Sequence, residues 1–262
     1  MGKFSGYLFC SDIDGTIVGQ DGKISSENEE AIRYFQENGG LFTLATGRWF
    51  DYIHKFKPGF TPNTHVICLN GTVLCHKDTG DIIVSRPFHK TDATADNIKR
   101  ILTEFPEICA IDVFLDSGND GMSISAEELL ATDMAELRKI AEEQTIYKML
   151  LIHSTIDTSR VDSMNEKFGD KYVFGRSWPE GTEVVSYDSG KGAMIDILRE
   201  MADTHIHTTI AVGDYENDIQ MVKHADIGYA VLNAADALKK VADKITVHHN
   251  DSAIAKIIAD LD

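Results

Sequence analysis

Short apolar runs that end abruptly in polar residues, each followed by a helix-spaced segment, govern what this chain can fold into. Tyr7-Leu8-Phe9-Cys10 runs into Ser11-Asp12, Leu41-Phe42-Thr43-Leu44-Ala45 into Thr46-Gly47-Arg48, and His65-Val66-Ile67-Cys68-Leu69 into Asn70-Gly71. Residues 26–38 place Ala31, Ile32 and Phe35 on one face, with Ser26 as the expected cap, Glu29 completing a capping box and Gly39-Gly40 as the stop. A further helical stretch reaches about Phe56. Strand, helix, strand, helix, strand in that order predicts an α/β fold whose parallel strands are joined by right-handed crossovers.

The middle of the chain breaks this rhythm. Thr72-Val73-Leu74-Cys75 and residues 81–85 flank Lys77-Asp78-Thr79-Gly80, a hairpin signal. Helices are expected at 91–104, 133–144 and 158–168, and strands at 110–114, 121–125, 147–152, 171–175 and 182–187. From Gly190 the first rhythm returns, with helix 191–202, strand Thr208-Thr209-Ile210-Ala211-Val212, strand 226–231 and helices 235–241 and 252–261. The reading is a split core, residues 1–84 with 187–262, and an inserted α+β lobe, residues 85–186, with hinges near 82–88 and 184–190.

Charge narrows the partners. The chain has 25 Lys+Arg against 42 Asp+Glu, net -17, and acidic residues outnumber basic ones in both parts. Nucleic acid and anionic membrane each need a basic face, so neither is the expected partner. A small anionic substrate stays open, because a metal ion can reverse the local field. The opening residues show no signal-peptide pattern, and no run approaches the roughly 18 apolar residues of a membrane span. Cys10, Cys68, Cys75 and Cys109 form no C-x-x-C and read as buried free thiols of a reducing compartment. A cytoplasmic monomer or small homo-oligomer is expected. His205, His207, His248 and His249 read as surface histidines.

Parallel strands share one carboxyl-end rim, where open α/β sheets bind ligands. Four strand ends carry polar punctuation here, including Gly213-Asp214-Tyr215-Glu216-Asn217-Asp218. Asp12 and Asp14, two residues apart, fall on the same side of an extended segment. Two close carboxylates repel, so a divalent cation or a retained proton must compensate. Hard oxygen ligands of this kind suit Mg²⁺, and Asp214, Asn217 and Asp218 add to the set. Thr46 offers a hydroxyl, Gly47 a close-approaching backbone N–H, and Lys191 a cation at a helix start, which together suit a phosphate. Taken singly, D-x-D also reads as a turn with solvated acids, and Arg48 and Lys191 as surface cations.

Asp12-Ile13-Asp14-Gly15-Thr16, Thr46-Gly47-Arg48, Lys191-Gly192 and Gly213-Asp214-Tyr215-Glu216-Asn217-Asp218 resemble, in order and spacing, the four motifs of the haloacid-dehalogenase-like superfamily. The insert resembles the type IIB cap of the Cof-like phosphatases, as do Asn70-Gly71 and Arg176-Ser177-Trp178 with Glu183. One departure is that Asp188-Ser189-Gly190 precedes Lys191, where these phosphatases more often place Ser or Asp. The resemblance implies a Rossmann-like parallel-sheet core with an inserted α+β cap and a Mg²⁺-dependent phosphatase of small phosphorylated metabolites. It implies Asp12 as nucleophile, Asp14 as general acid and base, and Thr46 and Lys191 as holders of the phosphoryl oxygens. Mg²⁺ would sit on the Asp12 carboxylate, the Asp14 backbone carbonyl and Asp214, with Asn217 and Asp218 orienting the shell. Gly47, Arg48, Asn70, Gly71, Arg176 and Trp178 would meet substrate, with Lys148 a further candidate. Asp14 favours phosphoryl transfer over dehalogenation, which needs no acid two residues past the nucleophile. The alternatives are a phosphomutase, which must exclude water, and a non-catalytic phosphate-ligand-binding protein on the same fold.

Overall fold

The computed structural model describes residues 2–56, 58–90, 93–115, 122–154 and 156–261. The chain divides into two compact units, Met1–Ser85 with Gly190–Asp262, and Arg86–Ser189.

The first unit opens with β1 (Tyr7–Ser11), α1 (Ser26–Glu37) and β2 (Leu41–Leu44). The cap of α1 is Ser25 rather than Ser26. Ser25 is extended and its side chain accepts from the Asn28 N–H at 3.2 Å, whereas Ser26 is already helical. A 3-10 stretch, Phe50–Phe56, then leads to β3 (Val66–Cys68), β4 (Val73–Cys75) and β5 (Ile82–Ser85). The third apolar run does not continue the parallel sheet as a full strand. It lies beside β2 through a parallel bridge between Ala45 and Ile67 and a hydrogen bond from the Thr43 hydroxyl to the His65 carbonyl, and pairs antiparallel with β4. The cause is the turn after Cys68, where Leu69, Asn70 and Gly71 all have positive φ (48°, 55° and 85°) and fold the chain back at once. The predicted hairpin is present, as β4 and β5 pair antiparallel.

The second unit contains α2 (Ala93–Glu104), β6 (Ile108–Leu115), β7 (Met122–Ser125), α3 (Ala126–Ala131), α4 (Met134–Glu143), β8 (Ile146–His153), α5 (Thr158–Phe168), β9 (Tyr172–Trp178) and β10 (Gly181–Ser186). Its strands form one antiparallel sheet in the order β7-β6-β8-β10-β9. Alternate residues Ile111, Val113, Met149, Leu151 and Val184 enter one core with Ile101, Leu102, Leu129, Leu137, Val161 and Met164 of the helices. Helix α3 is absent from the sequence expectation: only one turn and a half long, it shows little periodicity, yet Ser125 caps it through the Glu128 N–H. Asp133 likewise caps α4 through Ala135 N–H.

The first unit resumes with α6 (Lys191–Met201), β11 (Thr208–Gly213), α7 (Ile219–His224), β12 (Ile227–Ala230), α8 (Asp236–Lys239), β13 (Lys244–Ile245) and α9 (Ala253–Asp260). The main sheet runs β13-β12-β11-β1-β2, and every pair in it is parallel. β1 and β11 lie at its centre. Leu8, Phe9, Cys10, Ile210, Ala211 and Val212 are all fully buried, which explains why these strands read as unbroken apolar runs. β13, two exposed residues long, is too short for a periodic signal. Among the described residues no helix is long and apolar enough to cross a membrane. Cys10, Cys68 and Cys75 are buried free thiols, but Cys109 is exposed. His249 also departs from expectation: it is buried, and its Nδ1 lies 2.9 Å from the Val18 carbonyl.

Candidate active site

β1 and β11 are hydrogen-bonded neighbours running the same way, with Ser11 beside Val212. The next residues out of the sheet, Asp12 and Asp214, therefore leave from adjacent strand ends. Gly15 lets the first loop pass close beneath. Its φ is +77°, and a Cβ there would stand 2.3 Å from an Asp214 carboxylate oxygen. Asp218 closes the group from the 3-10 turn Glu216–Asp218. Its Oδ2 accepts the backbone N–H of Asp214 at 3.0 Å and of Tyr215 at 3.4 Å, which ties the acid to the loop that presents Asp214.

Lys191 is the first residue of α6 and is no surface lysine, being 1 % exposed. Its Nζ donates to Asp12 Oδ1 and to Asp218 Oδ1, each at 2.6 Å. Gly71 sets how closely the helix start approaches: a Cβ there would lie 2.1 Å from the Gly190 carbonyl carbon. Burial would strip the proton from Lys191, but the charges of Asp12 and Asp218 outweigh it and hold the ammonium above its ordinary range.

One ammonium cannot neutralise three carboxylates. Oxygens of Asp12, Asp214 and Asp218 lie within 4.8 Å of one another. Burial, reinforced by Asp218, pushes the Asp12 carboxyl up to about 7 despite Lys191. Burial, reinforced by Asp12 and Asp218, pushes Asp214 up to about 9. Acids so reluctant to ionise mark a place built for further positive charge. The donors are hard oxygens, so the residues present fit a divalent cation of the Mg²⁺ type.

Asp14 lies outside this cluster. Its carboxylate is half-exposed and gripped by Arg48, with Nε 2.7 Å from Oδ2 and Nη2 3.1 Å from Oδ1. Its side chain is therefore not a member of the acid cluster that its spacing from Asp12 suggested. The guanidinium stacks on the Tyr52 ring, 3.7 Å from the centroid. Tyr52 was not singled out in the sequence, although it lies one helical turn past Arg48. Thr46 is buried, and its hydroxyl accepts the Arg48 backbone N–H at 3.2 Å. Asn70 is buried beside it: its N–H donates to the Thr46 carbonyl at 2.9 Å, and its Oδ1 accepts from Asn217 Nδ2 at 3.2 Å. Asn217 thus turns its amide nitrogen toward Asn70. Thr16, within the first motif but not chosen, places its hydroxyl 3.5 Å from Asp214.

The first unit thus gathers Asp12, Lys191, Asp214 and Asp218 into one cluster and sets Asp14, Thr46, Gly47, Arg48, Asn70, Gly71 and Asn217 in the loops around it. Three candidates lie in the second unit. Arg176 donates to Thr158 Oγ1 at 2.7 Å, Trp178 ends β9 partly exposed, and Lys148 is buried in an ion pair with Glu183 at 3.0 Å.

The family model for haloacid dehalogenase-like hydrolases matches residues 9–258. The chain belongs to that family. A putative phosphatase of Streptococcus pyogenes serotype M6 is 26% identical over 260 residues, covering 96% of each chain. The 5-amino-6-(5-phospho-D-ribitylamino)uracil phosphatase YcsE of Bacillus subtilis is 26% identical over 96% of this chain and 94% of its own length. Among solved structures, the phosphatase BT1666 from Bacteroides thetaiotaomicron superposes with a TM-score of 0.76 at 20% identity, covering 98% of this chain and 96% of its own. The subclass IIB sugar phosphatase BT4131 gives 0.73 at 19% identity, covering 97% and 98%. These likenesses establish the shared fold: an α/β core with an added antiparallel lobe.

Proposed function

We propose that this protein is a Mg²⁺-dependent phosphatase of small phosphorylated metabolites, working through an aspartyl-phosphate. The observation that carries the reading is the placement of Asp12, a buried carboxylate held 2.6 Å from Lys191 amid two further acids. Such a carboxylate is fixed in orientation and partly neutralised, as a nucleophile toward an anionic phosphate must be.

Asp12, Asp214 and Asp218 are the residues that would hold the cation, with the Asp14 carbonyl as a further ligand. When bound, Mg²⁺ offsets negative charge on the phosphoryl group and on the acids. The remaining steps belong to the chain. Asp12 attacks phosphorus, and the ester P–O bond breaks. Asp14 protonates the departing oxygen and later takes a proton from the water that cleaves the aspartyl-phosphate. The Lys191 ammonium and Thr46 hydroxyl hold the equatorial oxygens as charge spreads over them. Gly47, Arg48, Asn70 and Gly71 border the substrate on the core side.

The inserted unit is the type IIB cap in this reading, with Arg176 and Trp178 as its candidates for reading the leaving group, while Lys148 is taken up by its buried ion pair with Glu183. The relatives' names support the substrate class. YcsE is named for a ribityl phosphate, and a Yersinia enterocolitica relative, 24% identical, is named an HMP-PP phosphatase. The acidic balance of the chain supports a small substrate rather than nucleic acid, and the three buried free thiols support a cytoplasmic setting.

The test is release of free phosphate from a panel of phosphorylated metabolites with Mg²⁺, alongside Asp12→Asn. Release by the wild type without any acceptor, and none by the variant, is expected. Transfer of phosphate within one sugar without release would make it a mutase, and no reaction with any ester would leave a binding protein.

A further inference from the structure

Two of the buried thiols face each other beside the site, and no step above uses them. Cys68 ends β3 and Cys75 ends β4. The register pairs Cys68 with Val73 and Val66 with Cys75. Alternation along paired strands puts both cysteines on the same face, as diagonal neighbours. They are 0% and 1% exposed, and their mutual influence raises the Cys68 thiol and lowers that of Cys75.

The connection between them is the turn that carries site residues. Leu69 and Asn70 adopt left-handed backbone, with φ of 48° and 55°. Leu69 N–H donates to the Arg48 carbonyl at 3.1 Å and Asn70 N–H to the Thr46 carbonyl at 2.9 Å. Gly190 N–H reaches the Gly71 carbonyl at 3.4 Å, one residue before Lys191. A displacement at Cys68 is therefore passed to Thr46, Arg48 and Lys191 through backbone hydrogen bonds.

We propose that Cys68 and Cys75 form a reversible redox modification site, and that closing their disulfide switches off the neighbouring active site. Diagonal strand neighbours stand about 7–8 Å apart at Cα, beyond the separation of roughly 4.4–6.8 Å that a disulfide spans, so closure must draw the strand ends together. Access comes from the sheet edge. β5 is four residues long, with Ile82 40% and Ile83 38% exposed, and its register with β4 shifts between Leu74 and Cys75. Opening this short edge uncovers Cys75 first.

The oxidant is a low-molecular-weight disulfide of the glutathione class. The Cys75 thiolate attacks one of its sulfurs, forming a mixed disulfide and releasing one thiolate. Cys68 then gives up its proton and attacks the Cys75 sulfur, expelling the second thiolate. Two protein thiols are oxidised, and one small disulfide is reduced to two thiols.

The test treats folded full-length protein with oxidised glutathione and reads intact mass, peptide map and phosphate release. The mass should fall by two hydrogens, with Cys68 and Cys75 joined in one cross-linked peptide. Turnover should drop about 10²-fold, as for a site displaced by an ångström, and return with dithiothreitol. Cys75→Ser should resist the oxidant, and Cys109→Ser should behave as wild type. A glutathione adduct at exposed Cys109 alone, or a cross-link that leaves turnover unchanged, would overturn the proposal. The turnover arm rests on the phosphatase reading, while the mass arm does not. Reduced protein that releases no phosphate yet cross-links at this pair would count against the phosphatase reading alone.

Discussion

Arg48 holds Asp14 by two hydrogen bonds, 2.7 and 3.1 Å long, while its own guanidinium lies flat on Tyr52. A carboxylate two residues past Asp12 would otherwise swing freely, since it is half-exposed. The arginine fixes its direction, and in the proposed mechanism proton delivery from Asp14 to a leaving oxygen requires that grip to loosen or pivot.

Arg48→Ala should therefore lower kcat by about 10–10²-fold through a misplaced acid. Asp14→Asn should cost more, about 10²–10⁴-fold. Rates measured with esters of graded leaving-group acidity separate the two roles. Both defects should shrink as the leaving group becomes a better one, and a uniform loss across the series would make Arg48 a binding residue only.

Asp12→Asn should reduce turnover to background while the circular dichroism spectrum stays native. The amide keeps the shape and removes the attacking oxygen charge. Phosphate release at the wild-type rate would move the nucleophile elsewhere.

Asp218→Ala tests stability. Lys191 donates to Asp12 and Asp218, and Asp218 also accepts the Asp214 N–H, so deleting this carboxylate leaves buried donors unsatisfied although Asp12 still offsets the ammonium charge. Leaving such donors unsatisfied costs about 1–3 kcal/mol. The urea midpoint should fall accordingly. An unchanged midpoint would show that Asp12 alone neutralises the lysine.

The raised acids set a pH dependence for the metal-free protein. Asp12 sits at about 7 and Asp214 at about 9, both above the unperturbed 3.8. The native state thus binds more protons than the unfolded chain between these values, so stability falls as pH rises from about 4 towards 9. Mg²⁺ competes with those protons, so its addition should flatten the slope. Thermal unfolding in EDTA and in Mg²⁺ across this range checks both statements.

The local chemistry of the core was legible because parallel strands announce themselves. The runs ending at Asp12, Thr46 and Gly213 are mainly apolar, since both sheet faces are buried, and their ends fall on a shared rim. Asp12 and Asp214 could be named together for that reason, whereas Lys191 was read from a helix start and Asp218 from the motif that follows Gly213. α3 and β13 escaped notice because neither is long enough to show a period, and Ser25 displaced Ser26 as cap because only its backbone is extended.

Sequence alone settled which residues stand at the ends of which strands, because burial on both faces writes a continuous apolar record into the chain. Tertiary structure alone decided their pairings. Lys191 takes Asp12 and Asp218, Asp14 takes Arg48, and Cys68 shares a sheet face with Cys75. The physical reason is that spacing along an extended segment fixes only the direction in which a side chain leaves it. Its partner is whichever opposite charge or sulfur the fold brings within a few ångströms, and for Lys191 and Asp12 that meant closing a loop across 179 positions of chain.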